Sequence, residues 1–331
     1  MPTGGSNNEL FVNAGNNATI TLPAPITLSG SASNGNGATL KTTWSLLSGP
    51  SKNNLDIIKP EALNTTALVT FPGTYAFRLS VTDGVKTSSS TVTISANQPV
   101  VTNPPSWINS FYKKCIVVNG IPICATGEVP DQALINSAYV MDAQLRKIKL
   151  TKPAILQKMV ERRAYTIIVG LNETNSMHPS WAGYNDSSWP RRGGGGNPTT
   201  ILEEDCIVPS NDGWRRNFCG QVHEFAHTLL TFGIGDAGMS GAEPETYNSI
   251  LKAYNNAIAA NKYTESDYDR GNYHEYFTGQ SGRWFNANPT NLNVPNAATK
   301  TDREQLKEYD PEIYNILESL YGDYELPEPW N

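Results

Sequence analysis

The sequence has few charged residues and no excess of basic ones. Asp, Glu, Lys and Arg make up 17% of the 331 residues, and the formal net charge is −6. A nucleic-acid-binding surface needs a basic patch to contact phosphates, so we do not expect nucleic acid as a partner. The chain also lacks any apolar run of about 18 residues or more, so we expect no transmembrane segment.

Cysteine is scarce, with four residues that fall into two local pairs. Cys115 and Cys124 flank the turn signal Asn119-Gly120, which is typical of a hairpin. Cys206 and Cys219 bracket a polar loop. Pairing within each local pair is the most economical connectivity, although the sequence allows others. Disulfides would indicate an oxidising compartment.

The N-terminus carries no recognisable signal peptide; it begins Met1-Pro2-Thr3-Gly4. We expect that a secretion signal was removed and that the protein is secreted, since the paired cysteines favour an extracellular location.

Residues 1–98 have the pattern of an all-β domain. Short runs of alternating apolar and polar residues recur, separated by turn signals such as Asp83-Gly84. This spacing predicts a sandwich of about seven strands. The runs are residues 18–22, 40–46, 67–71, 75–81 and 90–94.

Short motifs stand out in this segment at Trp44-Ser45, Ser48-Gly49-Pro50, Phe71, Gly73 to Phe77 and Leu79 to Gly84. Together they resemble a PKD-type, immunoglobulin-like domain. The resemblance implies adhesion, spacing or substrate presentation rather than chemistry, and it leaves open an extracellular-matrix or cell-surface target and a Ca²⁺ site. A proline-rich linker follows at 99–106.

Residues 107–331 mix helix and strand patterns and predict an α+β domain. A small hairpin around the first cysteine pair is followed by a helix that Asp131 can cap. A second helix is predicted at 152–163, and the β-branched run 165–169 predicts a buried strand. The glycine run 193–196 either permits close backbone approach to a ligand or is a flexible surface loop.

Two of only four histidines lie in the pattern His223-Glu224-Phe225-Ala226-His227. On an α-helix, positions i and i+4 share one face, so both imidazoles can reach one metal ion. Glu224 is adjacent and can act as a general base. This HExxH pattern predicts a catalytic Zn²⁺ site with His223 and His227 as ligands.

A catalytic zinc site needs a third protein ligand. A metzincin would need a histidine six residues after His227, and position 233 is glycine, so that class is excluded. Glu275 is favoured because it begins an apolar helix, where a carboxylate is harder to explain as a surface group. The other candidates are Asp236, Glu243, Glu245 and His274.

An ordered set of short blocks runs through region 107–331: Tyr112-Lys113-Lys114, Gly120 to Ile123, Val129-Pro130-Asp131, Arg191-Arg192-Gly193, Glu203-Glu204, His223 to His227, Glu275-Tyr276-Phe277, Trp284-Phe285-Asn286 and Arg303 to Pro311. With these blocks the region resembles gluzincin metallopeptidases related to the catalytic domain of anthrax lethal factor. That resemblance implies a zincin fold with Glu275 as the third zinc ligand and Tyr268, seven residues earlier, as the oxyanion donor. Tyr273 and Tyr276 are fallback donors.

The chain departs from the family pattern at one position. The family has a second acid four residues after the ligand glutamate, and this chain has Gly279. A carboxylate that orients a ligand histidine is then either absent or supplied from elsewhere, with Glu203, Glu204 and Asp236 as the candidates.

The sequence therefore predicts a secreted zinc endopeptidase that acts on a peptide or protein. One alternative is an extracellular binding or adhesion protein that binds zinc but is catalytically impaired, which Gly279 favours. Another is an adhesin or structural protein whose sandwich is the functional part and whose HExxH pattern is fortuitous.

Overall fold

A computed structural model of the chain describes residues 9–35, 37–50, 55–207, 219–264, 267–288, 290–324 and 326. The chain divides into two compact units, Met1–Pro99 and Val100–Asn331.

The first unit is all-β, and its described residues form three sheets. The strand orders are β1-β4, β2-β9-β8-β5 and β3-β7-β6. All neighbouring strands are antiparallel except β2 and β9. The strands are β1 (Leu10–Asn13), β2 (Ala18–Thr21), β3 (Ile26–Ser29), β4 (Ser31–Asn34), β5 (Lys41–Ser48), β6 (Leu55–Ile57), β7 (Asn64–Val69), β8 (Gly73–Thr82) and β9 (Thr87–Asn97).

The core of this unit is one face of β8 packed around a tryptophan. Tyr75, Phe77, Leu79 and Val81 alternate with more exposed residues along β8, and each is at most 1% exposed. Trp44 on β5 is 2% exposed, and its indole nitrogen donates to the Leu63 carbonyl at 3.2 Å. Every second side chain of β8 therefore faces the core, as expected for a strand with one buried face.

The predicted strand number is wrong, because nine strands occur among the described residues of this unit. The strands that the pattern missed are β1, β3, β4 and β6, each of three or four residues. β4, with the sequence Ser-Ala-Ser-Asn, has no buried residue, so hydrophobic alternation could not reveal it.

The second unit is a mixed α/β region built on a four-stranded sheet of order β10-β11-β12-β13. The first pair is an antiparallel hairpin, and the following pairs are parallel. Cys115 and Cys124 face each other across the hairpin and form a disulfide, as predicted. The strands are β10 (Lys114–Val118), β11 (Ile121–Ala125), β12 (Thr166–Val169) and β13 (Thr199–Leu202).

Helices pack on this sheet, and the last helix of the described residues ends at Tyr321. None of the helices in the described ranges is long and apolar enough to cross a membrane. They are α1 (Asp131–Thr151), α2 (Pro153–Glu161), α3 (Glu204–Ile207), α4 (Gly220–Thr228), α5 (Pro244–Ala259), α6 (Tyr273–Trp284), α7 (Asp302–Tyr309) and α8 (Pro311–Tyr321).

Asp131 does not cap α1. Pro130 occupies the N-cap position, where no side-chain cap bond forms, and Asp131 is the first helical residue. Its carboxylate instead lies 2.7 Å from Lys114 Nζ on β10. The acid therefore ties the helix start to the neighbouring hairpin.

The second predicted disulfide is wrong, because Cys206 and Cys219 are both buried free thiols. Cys206 lies on α3, and its thiol is directed back to the Leu202 carbonyl at 3.3 Å. Burial raises the pKa of the Cys219 thiol to about 12 and raises that of Cys206 as well. Two buried thiols of this kind stay protonated and act as small packing groups.

A buried carboxylate follows β12 in the second unit. Glu173 Oε1 accepts a hydrogen bond from Thr126 Oγ1 at 2.5 Å, and Oε2 accepts one from the Gly170 N–H at 2.7 Å. The fully buried His178 places Nε2 3.1 Å from the same Oε2. Burial opposes the charge, but these partners outweigh it and lower the pKa of Glu173 to about 2.

We predict that Glu173→Gln destabilises the protein at neutral pH by about 2 kcal/mol. The amide adds N–H donors where a carboxylate oxygen accepted the Gly170 N–H. A carboxyl whose pKa is lowered by folding stabilises the fold in full above its unfolded-state pKa, and this effect is lost as pH falls through its folded-state pKa. The difference from wild type should therefore shrink as pH falls from about 4.5 to about 2. Denaturant unfolding at pH 7 and pH 3 measures it.

The matched control is Glu128→Gln, which changes an exposed carboxylate on a nearby connection. It should leave stability unchanged at both pH values. An equal loss for Glu173→Gln at pH 7 and pH 3 would contradict the account.

Candidate metal centre

Helix α4 has one buried face and one face that opens on a cleft. Val222, Phe225 and Ala226 are fully buried. The helix packs against β13 and α6. Because buried and cleft-facing positions alternate with the helical period, His223, Glu224 and His227 share the face toward the cleft.

Three side chains from α4 and α6 converge at one point. The Nε2 atoms of His223 and His227 lie 3.3 Å and 3.4 Å from Glu275 Oε2, and all three ligand atoms lie within 4.8 Å of one another. Glu275 Oε2 is buried and forms no hydrogen bond of normal geometry. Two imidazole nitrogens and one carboxylate oxygen are a donor set that Zn²⁺ takes in hydrolases, so the residues fit this ion.

Among the described residues, this cluster is the single group of three or more His, Cys, Asp or Glu side chains that could hold a metal ion. None occurs in the described part of the first unit, and the Ca²⁺ site there stays a prediction.

The cap of α6 fixes the position of Glu275. Asn272 Oδ1 accepts hydrogen bonds from the backbone N–H groups of His274 at 2.9 Å and Glu275 at 3.0 Å. This side-chain cap satisfies two unpaired donors of the first turn. Glu275 is thereby held on α6, which packs against α4, the helix that carries the two histidines.

The glycine run 193–196 lies against α4. A Cβ atom at Gly193 would be 2.8 Å from Glu224 Oε1, and one at Gly195 would be 2.2 Å from His227 Cβ. Thr228 Oγ1 at the end of α4 donates to the Gly196 carbonyl at 2.7 Å. The sequence left open a close approach to a ligand or a flexible loop, and the structure shows a close approach to α4.

Glu224 lies beside the cluster in a buried position. Burial raises the pKa of its carboxyl, and the charge of Glu275 acts in the same direction. His223, His227 and Arg192 oppose the rise without cancelling it. A carboxylate with a raised pKa is a better proton acceptor near neutral pH than an ordinary glutamate.

Glu275 is the charged partner of the histidines. Burial alone would raise its pKa, but the adjacent imidazoles of His223 and His227 outweigh burial and lower it. For His223, burial would lower the pKa, yet Glu275, Glu224 and Asp269 raise it. The cluster therefore favours bound positive charge.

Tyr268 stands at the rim of the cluster and is 67% exposed. Its hydroxyl donates to Glu275 Oε1 at 3.2 Å, and its ring centroid is 6.1 Å from that of His223. Burial and the nearby Glu275 raise the pKa of Tyr268 to about 12, so the hydroxyl remains a donor at neutral pH. The fallback donors are directed elsewhere, Tyr276 to Asp310 at 2.7 Å and Tyr273 to Asp236.

The other candidate ligands lie outside the cluster. Asp236 accepts from the Ala237 N–H at 2.7 Å and lies 3.2 Å from His274 Nε2. Glu243 Oε2 lies 2.6 Å from Lys152 Nζ. Glu245 is in the first turn of α5. Asp236, His274 and Glu243 each have a local partner, and none of the three belongs to the group formed by His223, His227 and Glu275.

The predicted orienting acids also lie apart from the ligand histidines. Glu203 accepts from the Leu171 N–H at 2.9 Å, and Glu204 forms an ion pair with Arg191 at 2.5 Å. Asp236 is next to His274. The prediction that one of the three orients His223 or His227 finds no contact among the described residues.

Sequence reasoning missed Asp269, which fills the space beside Gly279. A Cβ atom at Gly279 would lie 2.0 Å from Asp269 Oδ1. Asp269 is 9% exposed, and its Oδ2 accepts from Gln280 Nε2 at 2.8 Å. Burial raises the pKa of its carboxyl against the opposing effects of Arg283, Gln280 and His223. A carboxylate from another element thus occupies the place of the absent acid.

The cluster forms the floor of a cleft of about 1120 Å³. Trp181, Arg192, Phe232 and His274 are among the residues that line it. The cleft belongs entirely to the second unit and is large enough for several residues of an extended peptide.

Comparison with known proteins identifies the first unit. The family model for PKD domains of the KIAA0319-like type matches residues 14–95. The PKD domain of human KIAA0319 is 24% identical over 32% of this chain and 97% of that one, with a TM-score of 0.25. The PKD domain of the KIAA 1837 protein is 25% identical over 32% and 99%, with a TM-score of 0.24. No curated protein sequence matches the chain.

The first unit is therefore a PKD-type, immunoglobulin-like domain, as predicted. Such a domain suggests an extracellular protein. The family match ends at residue 95 and does not include His223, His227 or Glu275.

We predict that Gly279→Ala destabilises the protein by about 1 to 3 kcal/mol, because the new methyl group overlaps the buried Asp269 carboxylate. The control is Gly282→Ala on the same helix, where the nearest atoms to an added Cβ are 3.7 Å away. Alanine should stabilise that position by about 0.5 to 1 kcal/mol. Denaturant unfolding measures both, and equal stabilities of the two variants would contradict the contact.

Proposed function

We propose that the second unit is a zinc-dependent endopeptidase with a zincin fold of the gluzincin type. The observation that carries the proposal is the convergence of His223 Nε2, His227 Nε2 and Glu275 Oε2 on one point, with Glu224 beside them. The cleft above this point supports an extended peptide as substrate.

His223, His227 and Glu275 would hold the ion. Zn²⁺ bound there supplies a Lewis acid that activates water and polarises a peptide carbonyl. Glu224 accepts the proton of the attacking water and returns it to the leaving amine, which its raised pKa favours. The Tyr268 hydroxyl turns from Glu275 to the carbonyl oxygen of the substrate, where negative charge develops.

The first unit has a different role in this proposal. PKD-type domains are associated with adhesion and spacing, and we propose that this one holds the peptidase at an extracellular matrix or cell-surface target. The Cys115–Cys124 disulfide supports secretion into an oxidising compartment.

An extracellular protein that binds zinc without turnover is the alternative. Gly279 favoured it, because a carboxylate is absent at that position. Asp269 supplies a carboxylate in the same space and restores a negative charge near His223. The geometry therefore supports an active site better than an impaired one.

We predict that Glu224→Gln lowers kcat by at least about a hundredfold, because proton transfer is lost while the three ligands remain. Zinc content, measured by elemental analysis, should be unchanged. Hydrolysis of a quenched fluorescent peptide library measures turnover. The control Glu245→Gln, on the first turn of α5, should keep both turnover and zinc. Wild-type turnover in Glu224→Gln would sink the assignment.

We predict that Tyr268→Phe lowers kcat by about tenfold to a hundredfold with little change in KM, because the hydroxyl acts on charge that develops during the reaction. Tyr273→Phe is the matched control, since its hydroxyl is bound to Asp236 and should leave kcat near wild type. A higher KM with unchanged kcat in Tyr268→Phe would assign Tyr268 to substrate binding instead.

A further inference from the structure

Arg192 brings a positive charge to the cleft. It is an exposed side chain on the segment that precedes the glycine run. Among the described residues that line the cleft, it is the single lysine or arginine. The floor of the cleft carries the carboxylates of Glu224 and Glu275, so an acidic substrate would be repelled unless a cation offset them.

The backbone of Arg192 is fixed by a buried side chain. Its N–H donates to Asn175 Oδ1 at 2.7 Å, and Asn175 Nδ2 donates to its carbonyl at 3.0 Å. Asn175 is fully buried. The two bonds clamp residue 192 at the cleft edge, so its side chain extends from a defined point rather than from a free loop.

The guanidinium stands beside two tryptophan rings. Its carbon lies 6.0 Å from the Trp181 ring centroid and 5.9 Å from that of Trp189. Such cation–π contacts orient the planar group and leave its edge free for hydrogen bonding. Its contact with a protein oxygen is Nε to the Gly193 carbonyl at 3.3 Å, and no carboxylate pairs with it in the described part of the chain.

The preceding arginine shows the opposite arrangement. Arg191 is partly buried, and its guanidinium forms an ion pair with Glu204 at 2.5 Å and also donates to the Gly170 carbonyl. Arg191 therefore holds the fold together, whereas Arg192 keeps its charge available to a ligand.

We propose that Arg192 binds a carboxylate of the substrate, so that the cleft selects peptides with Asp or Glu near the cleaved bond or with a free C-terminal carboxylate nearby. A guanidinium edge matches a carboxylate with two parallel hydrogen bonds. This inference rests on the proposed peptidase function and names its substrate class.

Peptide binding tests it without turnover. The full chain carrying Glu224→Gln, loaded with zinc, is titrated with blocked octapeptide mixtures that hold Asp or Glu, Asn or Gln, or Lys at one fixed position. A second set has a free C-terminus. Arg192→Gln and Arg192→Glu are added to this background. The matched control is Arg163→Gln, an exposed arginine whose guanidinium carbon lies 5.8 Å from the Trp107 ring centroid, outside the cleft.

We predict that acidic peptides bind about tenfold to a hundredfold more tightly than their amide counterparts. Arg192→Gln should remove this preference, Arg192→Glu should reverse it toward lysine, and Arg163→Gln should keep it. A preference found only in the free C-terminus set assigns the carboxylate to the chain end and still supports the inference.

No acidic preference, no binding of any peptide, or a preference that survives Arg192→Gln overturns the inference. Hydrolysis by the chain with Glu224 intact is scored separately. Acidic peptides that bind but are never cleaved would sink the peptidase and keep the Arg192 assignment. Cleavage without acidic preference would do the reverse.

Discussion

The packing of α4 against α6 is the contact on which the site depends. It brings the two histidines of one helix to the carboxylate of the other, with 3.3 Å and 3.4 Å between the ligand atoms. Each side of this contact is held separately. Asn272 caps α6 at the turn that carries Glu275. Gly193 and Gly195 let their segment lie directly on α4. A side chain at Gly195 would displace His227 itself.

Charge makes this arrangement costly without a cation. Glu224, Asp269 and Glu275 lie near two imidazoles, and burial raises the pKa values of the Glu224 and Asp269 carboxyls. Glu275 keeps its negative charge because the histidines face it. A buried charge cluster of this kind needs a compensating positive charge, and a divalent cation is the group that its three converging ligand atoms fit. The same carboxylates explain why Arg192 matters, since no carboxylate of the described residues pairs with it.

Much of the second unit was predictable because its signals are local. The Asn119-Gly120 turn predicted the hairpin and its disulfide, and the i, i+4 histidines predicted a shared helix face. The predictions that were wrong depended on contacts between different elements of the fold. Asp131 pairs with Lys114 instead of capping α1, and the Cys206 thiol is directed to the Leu202 carbonyl at the end of β13 instead of to Cys219. Sequence spacing could not identify Asp269. It lies on a different element from Gly279, in the short helical turn Tyr268–Arg270, and its carboxylate occupies space that is open because residue 279 has no side chain. In the first unit, strands as short as β6 carry too few residues to show a period.

Zinc stoichiometry of the purified full chain tests the central claim most directly. Elemental analysis of protein never exposed to chelator should find a single zinc per chain, and Glu275→Ala should lose it or bind it far more weakly, because one of three ligands is removed. Wild-type protein without zinc would contradict the account of the cluster. Zinc retained undiminished in Glu275→Ala would contradict the assignment of the third ligand and would direct attention to Asp236, Glu243, Glu245 or His274.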